Sequence, residues 1–491
     1  MRRFDVHSAG SFSSGEQANG DSYPLRLPIE TCCTIAWQAI TVDALRLTGD
    51  ATIADELERT TFNAVAAAQH PSGAWWTYNT PLNGVRKASH HDIVFQARAG
   101  APDLNCCSVN GPRGLGALAQ WAVMRSGERG LAVNFYGPGR ADVKLPGGEV
   151  TLRQETDYPV GGRVKLTVGT ARPLPLTVRL RIPAWSRRTR VTVNGEAVPG
   201  VVPGRYLAVE RTWKDGDRIE LEFDLRMRYE AGDGEAAGLV ALFRGPLLLA
   251  YDQAFNAFDE DDLPRLDAAA LDGADLRPAG AGPDGHEHAP WLLVTVPAAG
   301  GRAMRLCDFA SAGSAGTRYR SWLAADRLRP PAPAPLAPAD GATVAPGAIR
   351  FRWRSPAAAA PREHAVVLST SPEGTPVTVR FGQATGSHLV LPAAEAARLE
   401  AGKEYYWRVV AANRHGETSS VDPARRLRVD PKLPLVVLAD TAHGERAADR
   451  VLIEADLRGD VQPSYGRAGT AAGWRPVGDG AGRAVAFDGK S

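Results

Sequence analysis

The sequence predicts a multidomain α + β protein, with helices in roughly its first quarter and antiparallel β-sandwich domains after them. Three observations carry this. Apolar residues recur at helical spacing between residues 31 and 125. From about residue 130 the period changes to two, the mark of half-buried strands. A Pro/Ala run, "LRPPAPAPLAPADGA", then separates a second group of strands from the first. At 491 residues the chain is too long for one hydrophobic core, and ordinary domain size argues for three or four.

Taken in order, residues 31 to 48 predict a helix. Cys33, Trp37, Ile40, Ala44 and Leu47 fall on one stripe, and Gly49 stands where a left-handed cap belongs. Asp50 caps a second helix to about Gln69, with Ile53, Leu57, Thr61, Ala64 and Ala68 inward and "PSG" ending it. Residues 70 to 105 show no helical period. Their "SGAWWTYNTPLNGVRKASHHD" reads as an aromatic and polar loop, the kind of segment that carries function. A third helix is expected over about Pro112 to Arg125, with Leu115, Leu118 and Ala122 inward. If these are consecutive antiparallel neighbours, the first and third start at the same end. Each starts at a cysteine doublet, in "PIETCCTIAW" and "DLNCCSVNGPR", so four thiols are expected at one rim.

The strands follow. "VKLTV", "LTVRLRI", "VTVNGEAV" with an Asn194-Gly195 hairpin turn, and "RIELEFDLRMR" alternate, and the pattern runs through "GLVALFRGPLLLAY" to about residue 328. These boundaries give a helical segment over 1–130, sandwich over 131–328 and linker over 329–337. Over 338–431, "IRFRWRSP", "AVVLSTSP" and "AGKEYYWRVVAANRHGE" resemble a fibronectin type III sandwich, with Trp353 as core tryptophan and Tyr405 as tyrosine corner. The stretch 432–491 resembles the opening of a laminin-G or concanavalin-like sandwich, too short to close.

Composition excludes several classes. Fifty-seven Lys+Arg against 55 Asp+Glu leave a charge of +2 with no basic stripe, so nucleic acid is not an expected partner. No apolar run approaches the length of a membrane span, and "MRRFDVHSAGSFSSGEQ" lacks the features of a signal peptide.

Five cysteines, four of them in doublets, leave three readings open: apolar core, metal site or disulfides. A metal site is favoured by three features. Helix N-termini stabilise thiolate, thiolate is the ligand form, and Glu30 stands two residues before Cys32 as an oxygen donor. Glu16 reads as a solvated carboxylate in a Gly/Ser loop, and Cys307 as a buried apolar residue. His90 and His91 lie in the loop as candidate ligands or substrate contacts. Trp75, Trp76 and Tyr78 are either a sugar-stacking wall or core.

With these residues placed, "GEQ", "PIETCCTIAWQ", "NCCSVNGPRGLG", "VTLRQETDYP", "LRIPAW", "VTVNGE" and "LFRGPLLLAYD" together resemble the C-terminal half of glycoside hydrolase family 127 over about residues 5 to 328. The sister family 146 is also similar. The resemblance implies the last helices of an (α/α)6 barrel followed by β-sandwich domains, and a β-L-arabinofuranosidase-like retaining hydrolase. It implies Zn2+ held by Glu30, Cys32, Cys106 and Cys107, with Cys106 as nucleophile and Glu16 as general acid/base. His90, His91, Trp75 and Trp76 become candidate contacts to an arabinose-containing glycan. Cys33 has no counterpart in that set and is assigned to the core stripe with Trp37 and Ile40.

Only fifteen residues precede Glu16, where the resemblance implies most of the barrel. The expectation is therefore a fragment, inactive when expressed alone. The fibronectin-like and laminin-G-like modules point to a full-length enzyme that is secreted or held in the cell envelope, with a cytoplasmic protein as the alternative. Two rivals come from other classes. A non-catalytic carbohydrate-binding or adhesion protein would use the thiols for a structural zinc, and a thiol oxidoreductase would need a CxxC motif that is not there.

Overall fold

The computed structural model describes residues 6–12, 25, 28–87, 95–96, 103–278, 289–345, 349–355, 363–371, 374, 376–384, 386–420, 424–430, 432–433, 474–477 and 484–487. The chain divides into two units, Met1–Leu435 and Val436–Ser491. In the second, Trp474–Val477 pairs antiparallel with Ala484–Phe487; the rest of this second unit, where most of the laminin-G-like segment is expected, lies outside the described residues.

The first unit begins with a helical layer. β1 (Ile29–Glu30) runs directly into α1 (Thr31–Thr48). Gly49 adopts φ 62 and its N–H reaches the Leu45 carbonyl, while the Asp50 carboxylate accepts from the Thr52 N–H, so both expected caps form. The buried face of α1 differs from the predicted stripe. It comprises Thr31, Thr34, Ile35, Trp37, Gln38, Thr41, Val42 and Leu45, whereas Ile40 is 54% and Leu47 86% exposed. The polar side chains go inside because each has a partner: Thr31 donates to the Thr77 carbonyl, Thr41 to the Trp37 carbonyl, and Gln38 to Thr61. Cys33 is half-buried and is not part of the apolar core.

The second helix is α2 (Ala51–Arg59), a π turn at Thr60–Val65, and α3 (Ala66–Ala68). The π turn interrupts the regular stripe expected over 50–69, and all six of its residues are buried. Asn63 explains the departure: its amide donates to the Pro246 carbonyl and its oxygen accepts from the Leu248 N–H, tying the widened turn to the β region.

Four short strands follow: β2 (Asn79–Thr80), which pairs with β1, β3 (Asn83–Val85), and the paired β4 (Phe95–Gln96) and β5 (Asp103–Leu104). The third helix starts at Cys106, not Pro112. α4 (Cys106–Gly116) is followed by α5 (Leu118–Trp121). Asn105 makes the earlier start possible, because its side chain accepts from the Ser108 N–H while Ser108 Oγ accepts from the Asn105 N–H. Glycines, rather than Leu115, form its inward face. A Cβ on Gly111 would lie 2.3 Å from Trp76 Cε3, and one on Gly114 2.6 Å from Ile35 Cδ1.

Two sheets come next, from β6 (Val123–Arg125), β7 (Gly130–Val133), β8 (Gly139–Leu145), β9 (Gly148–Thr156), β10 (Arg163–Thr170), β11 (Leu174–Ile182), β12 (Arg190–Val193), β13 (Glu196–Ala197), β14 (Arg205–Trp213) and β15 (Arg218–Glu222). Their orders are β13-β12-β15-β10-β9-β8 and β14-β11-β7-β6. Asn194 and Gly195 take φ 52 and 85, the paired positive values the hairpin requires. The sandwich is not wholly antiparallel, since β7 pairs parallel with β11.

"RIELEFDLRMR" is not one strand. It divides between β15 and β16 (Met227–Ala231), which belong to different sheets. β16 opens a further sheet with β17 (Leu239–Arg244), β18 (Leu247–Asp252), β19 (Leu266–Asp267), β20 (Leu293–Pro297), β21 (Ala303–Asp308), β22 (Arg318–Arg320) and β23 (Trp322–Asp326). β3 joins it by pairing with β22, so the loop between the helices is fastened to this sheet.

The Pro/Ala stretch is not a free tether, because β24 (Ala334–Ala337) lies within it and pairs with a strand of the next module. That module has β24, β26 (Arg350–Arg354) and β29 (His388–Val390) in one sheet. The other holds β25 (Ala342–Val344), β27 (Glu363–Ser369), β28 (Val377–Ala384), β30 (Glu404–Asn413), β31 (Gly416–Ser419) and β32 (Arg425–Val429). Trp353 and Tyr405 are buried in its core, and the Tyr405 hydroxyl accepts from the Glu400 N–H. Among the described residues, no helix is long and apolar enough to cross a membrane.

Candidate thiol and carboxylate site

The N-termini of α1 and α4 meet, as the direction count requires. The Sγ atoms of Cys32, Cys106 and Cys107 all lie within 4.8 Å of one another. Cys107 Sγ is 3.3 Å from Cys32 Sγ and 3.4 Å from Glu30 Oε1. All five cysteines are free thiols, which removes the disulfide reading. The core reading holds for Cys307, which is fully buried in β21.

Each side chain is placed by backbone chemistry. Glu30 is the N-cap of α1, in extended conformation and with no side-chain capping bond, so its carboxylate is left for the site. The β1–β2 pairing and the bond from Thr31 N–H to the Tyr78 carbonyl fix that N-terminus. The Asn105–Ser108 capping box sets the first turn of α4, where Cys106 is exposed and Cys107 buried. Burial therefore sorts the doublet into one accessible thiol and one internal thiol.

The electrostatics follow from this crowding. Cys32 is pulled down from the ordinary thiol range to about 7, first by the hydrogen bond from Cys107, with further help from Asn110 and Cys106 and against its burial. Burial, and then Cys32 beside it, pushes Cys106 up. Cys107 is pushed far up, because its proton is held in the bond to Cys32 and because it is buried. In the absence of a cation, the cluster thus favours negative charge at Cys32.

Glu30 is 2% exposed. Its side-chain contacts among the described residues are two thiols, from Cys33 at 2.5 Å and Cys107 at 3.4 Å, with no cationic side chain in ion-pair range. A buried carboxylate without a cation is costly. Three sulfurs around it suit a soft or borderline divalent ion, and tetrahedral zinc with Zn–S near 2.3 Å spaces its sulfurs about 3.8 Å apart. The donor set present fits such an ion.

The other predicted residues fall as follows. Glu16, His90 and His91 lie outside the described residues. Trp76 is buried against Gly111, which makes it the seat of α4 rather than an open wall. Trp75 is half-buried and stacks on His70, with ring centroids 4.4 Å apart. Sequence reasoning missed two neighbours. Asn110 donates to Cys32 Sγ at 3.3 Å, and Tyr78, expected as sugar-stacking wall or core, hydrogen-bonds the Cys106 side chain. Asn110 stands one turn beyond the second doublet, so an earlier helix start would have placed it on the thiol face.

The site is thus a thiol and carboxylate cluster on a helical layer that is set on β-sandwiches. Residues 7–120 match the family model described as "Beta-L-arabinofuranosidase, GH127 catalytic domain", and residues 130–225 match the GH127 middle domain. Both matched models are domains of glycoside hydrolase family 127. It is similar to the non-reducing end β-L-arabinofuranosidase of Bifidobacterium longum subsp. longum, 25% identical over 295 residues, which covers 55% of this chain and 44% of that protein. Among solved structures, it resembles a GH127 β-arabinofuranosidase with a TM-score of 0.55 at 23% identity, covering 66% of this chain and 54% of that one. It also resembles the GH127 β-L-arabinofuranosidase of Geobacillus stearothermophilus T6, with a TM-score of 0.54 at 23% identity, covering 66% of this chain and 55% of that one. These structural likenesses establish a shared fold, and the chain spans about half the length of the relatives it matches.

Proposed function

We propose that this chain carries the catalytic thiol rim of a zinc-dependent, retaining, β-L-arabinofuranosidase-like glycoside hydrolase acting on arabinose-containing glycans. The observation that supports the reading is the meeting of three thiols beside the buried carboxylate of Glu30 at two helix N-termini. Glu30, Cys32, Cys106 and Cys107 would hold the ion, and zinc bound there keeps thiols ionised at neutral pH.

The reaction then needs a nucleophile and a proton donor on opposite sides of the anomeric carbon. Cys106 is the exposed thiol of the cluster, and its Sγ attacks the anomeric carbon as the glycosidic C–O bond breaks. Glu16 delivers its proton to the leaving oxygen. In the second half Glu16 takes a proton from water, the oxygen of that water displaces sulfur, and Cys106 returns as thiolate with configuration retained. Cys107, buried beneath, is assigned to ligation alone.

Zinc analysis and thiol mapping on the purified chain test this reading. The expected result is one zinc per chain, lost in Cys32→Ala and in Cys107→Ala. Iodoacetamide is expected to label Cys106 ahead of Cys32, Cys33, Cys107 and Cys307. A chain with stoichiometric zinc whose Cys106 resists alkylation would instead support the closed structural site of a non-catalytic carbohydrate-binding protein.

A further inference from the structure

The fourth thiol of the rim, Cys33, is assigned no role by the family resemblance. Its Sγ lies 2.5 Å from Glu30 Oε2, while the other oxygen, Oε1, faces Cys107 Sγ at 3.4 Å. The two residues stand three apart across the first turn of α1, where helical geometry brings their side chains together. Helix capping does not orient the Glu30 carboxylate, since Glu30 makes no side-chain capping bond.

We propose that Cys33 is a positioning residue of the metal site, its thiol holding Glu30 Oε2 so that Oε1 alone is presented to the cluster. This rests on the zinc reading above. The terminal torsion of a glutamate is soft and two-fold, so an unrestrained carboxylate can turn either oxygen, or both, toward a cation. A buried carboxylate also has more acceptor sites than one metal bond uses, and the remaining oxygen needs a donor. Cys33 supplies that donor. Asn110 does the equivalent for Cys32, donating to its sulfur at 3.3 Å. The rim therefore has an outer layer, Cys33 behind the oxygen ligand and Asn110 behind a sulfur ligand, which fixes the direction in which each ligand points.

The test is zinc affinity, measured on the full chain by competition with a chromogenic chelator. Cys33→Ala is expected to weaken zinc binding by about 10- to 100-fold, the usual effect of losing an outer-layer hydrogen bond to a ligand. Cys33→Ser, which keeps a donor, is expected to recover most of that loss, and the metal-free chain should unfold at the wild-type midpoint. Cobalt supplies a second readout: the thiolate charge-transfer absorption per bound cobalt should be the same in Cys33→Ala and wild type. Wild-type zinc affinity in Cys33→Ala overturns the proposal. A lower charge-transfer intensity also overturns it, by showing that Cys33 is itself a ligand. Cys32→Ala separates the two levels of inference. If wild type and Cys32→Ala bind zinc equally, the zinc reading fails; if Cys32→Ala loses zinc while Cys33→Ala keeps it, only the role of Cys33 fails.

Discussion

Burial decides what individual titratable groups do outside the thiol rim, and His7 shows it most clearly. Its side chain is fully buried, its N–H bonds the Ser11 carbonyl, and the neighbouring Ser8 carbonyl accepts from Arg59 Nε. Burial, and then the positive Arg59, lowers its pKa from 6.5 to about 4. The unfolded chain therefore binds a proton between those values that the folded chain refuses. Stability from this group is complete above pH 6.5 and is lost as pH falls through about 4. The loss attributable to His7 should approach the order of 3 kcal/mol by pH 4. Denaturant unfolding of wild type and His7→Gln between pH 7.5 and 4.5 checks this, because the variant cannot take up that proton. Parallel pH profiles for the two proteins would refute it.

The helices are positioned by close contacts that the hydrophobic pattern does not announce. Gly111 and Gly114 let α4 approach Trp76, Ile35 and Val65, and α4 carries two of the proposed ligands. Gly111→Ala puts a methyl 2.3 Å from the Trp76 ring, which must then shift. The expected cost is about 1–3 kcal/mol by denaturant midpoint. Gly116→Ala on the same helix meets nothing within 4 Å and serves as the control. It should be neutral or stabilising by up to about 1 kcal/mol, from helix propensity. Equal effects at the two glycines would remove the packing argument. The sequence showed the glycines plainly; it could not show which faced a neighbour, because that depends on where α4 starts.

At the scale of the whole molecule, the helical layer is fastened to the first sandwich by a buried charge cluster. Arg181 of β11 is fully buried and pairs with Asp55 and Glu58 of α2, each at 2.5 Å, while its Nε donates to the Asn134 carbonyl. Tyr158 and Trp185 donate to Glu58, and the Ala184 N–H donates to Asp55. Tyr158 comes from "VTLRQETDYP", and Arg181, Ala184 and Trp185 come from "LRIPAW", motifs that carried the family resemblance and have no part in the proposed chemistry. Their shared property is that they converge on one helix. Removing Arg181 strands two carboxylates at the interface, so Arg181→Met should cost about 3–5 kcal/mol in denaturant unfolding. A loss below about 1 kcal/mol would mean that water reaches the cluster and screens it.

The sequence by itself determined the change from helices to strands near residue 130, the caps at Gly49 and Asp50, the Asn194-Gly195 turn and the meeting of both cysteine doublets at one rim. Each of these depends on local backbone chemistry or on counting chain directions. Only the tertiary structure decided which face of α1 is buried, why the helix after Asp50 widens at Asn63, that α4 begins at Cys106, and that Cys33 faces Glu30 instead of the core. These depend on partners distant in sequence: a Thr or Gln side chain can be buried once a distant carbonyl or hydroxyl meets it. An apolar stripe read from one helix alone cannot contain that information.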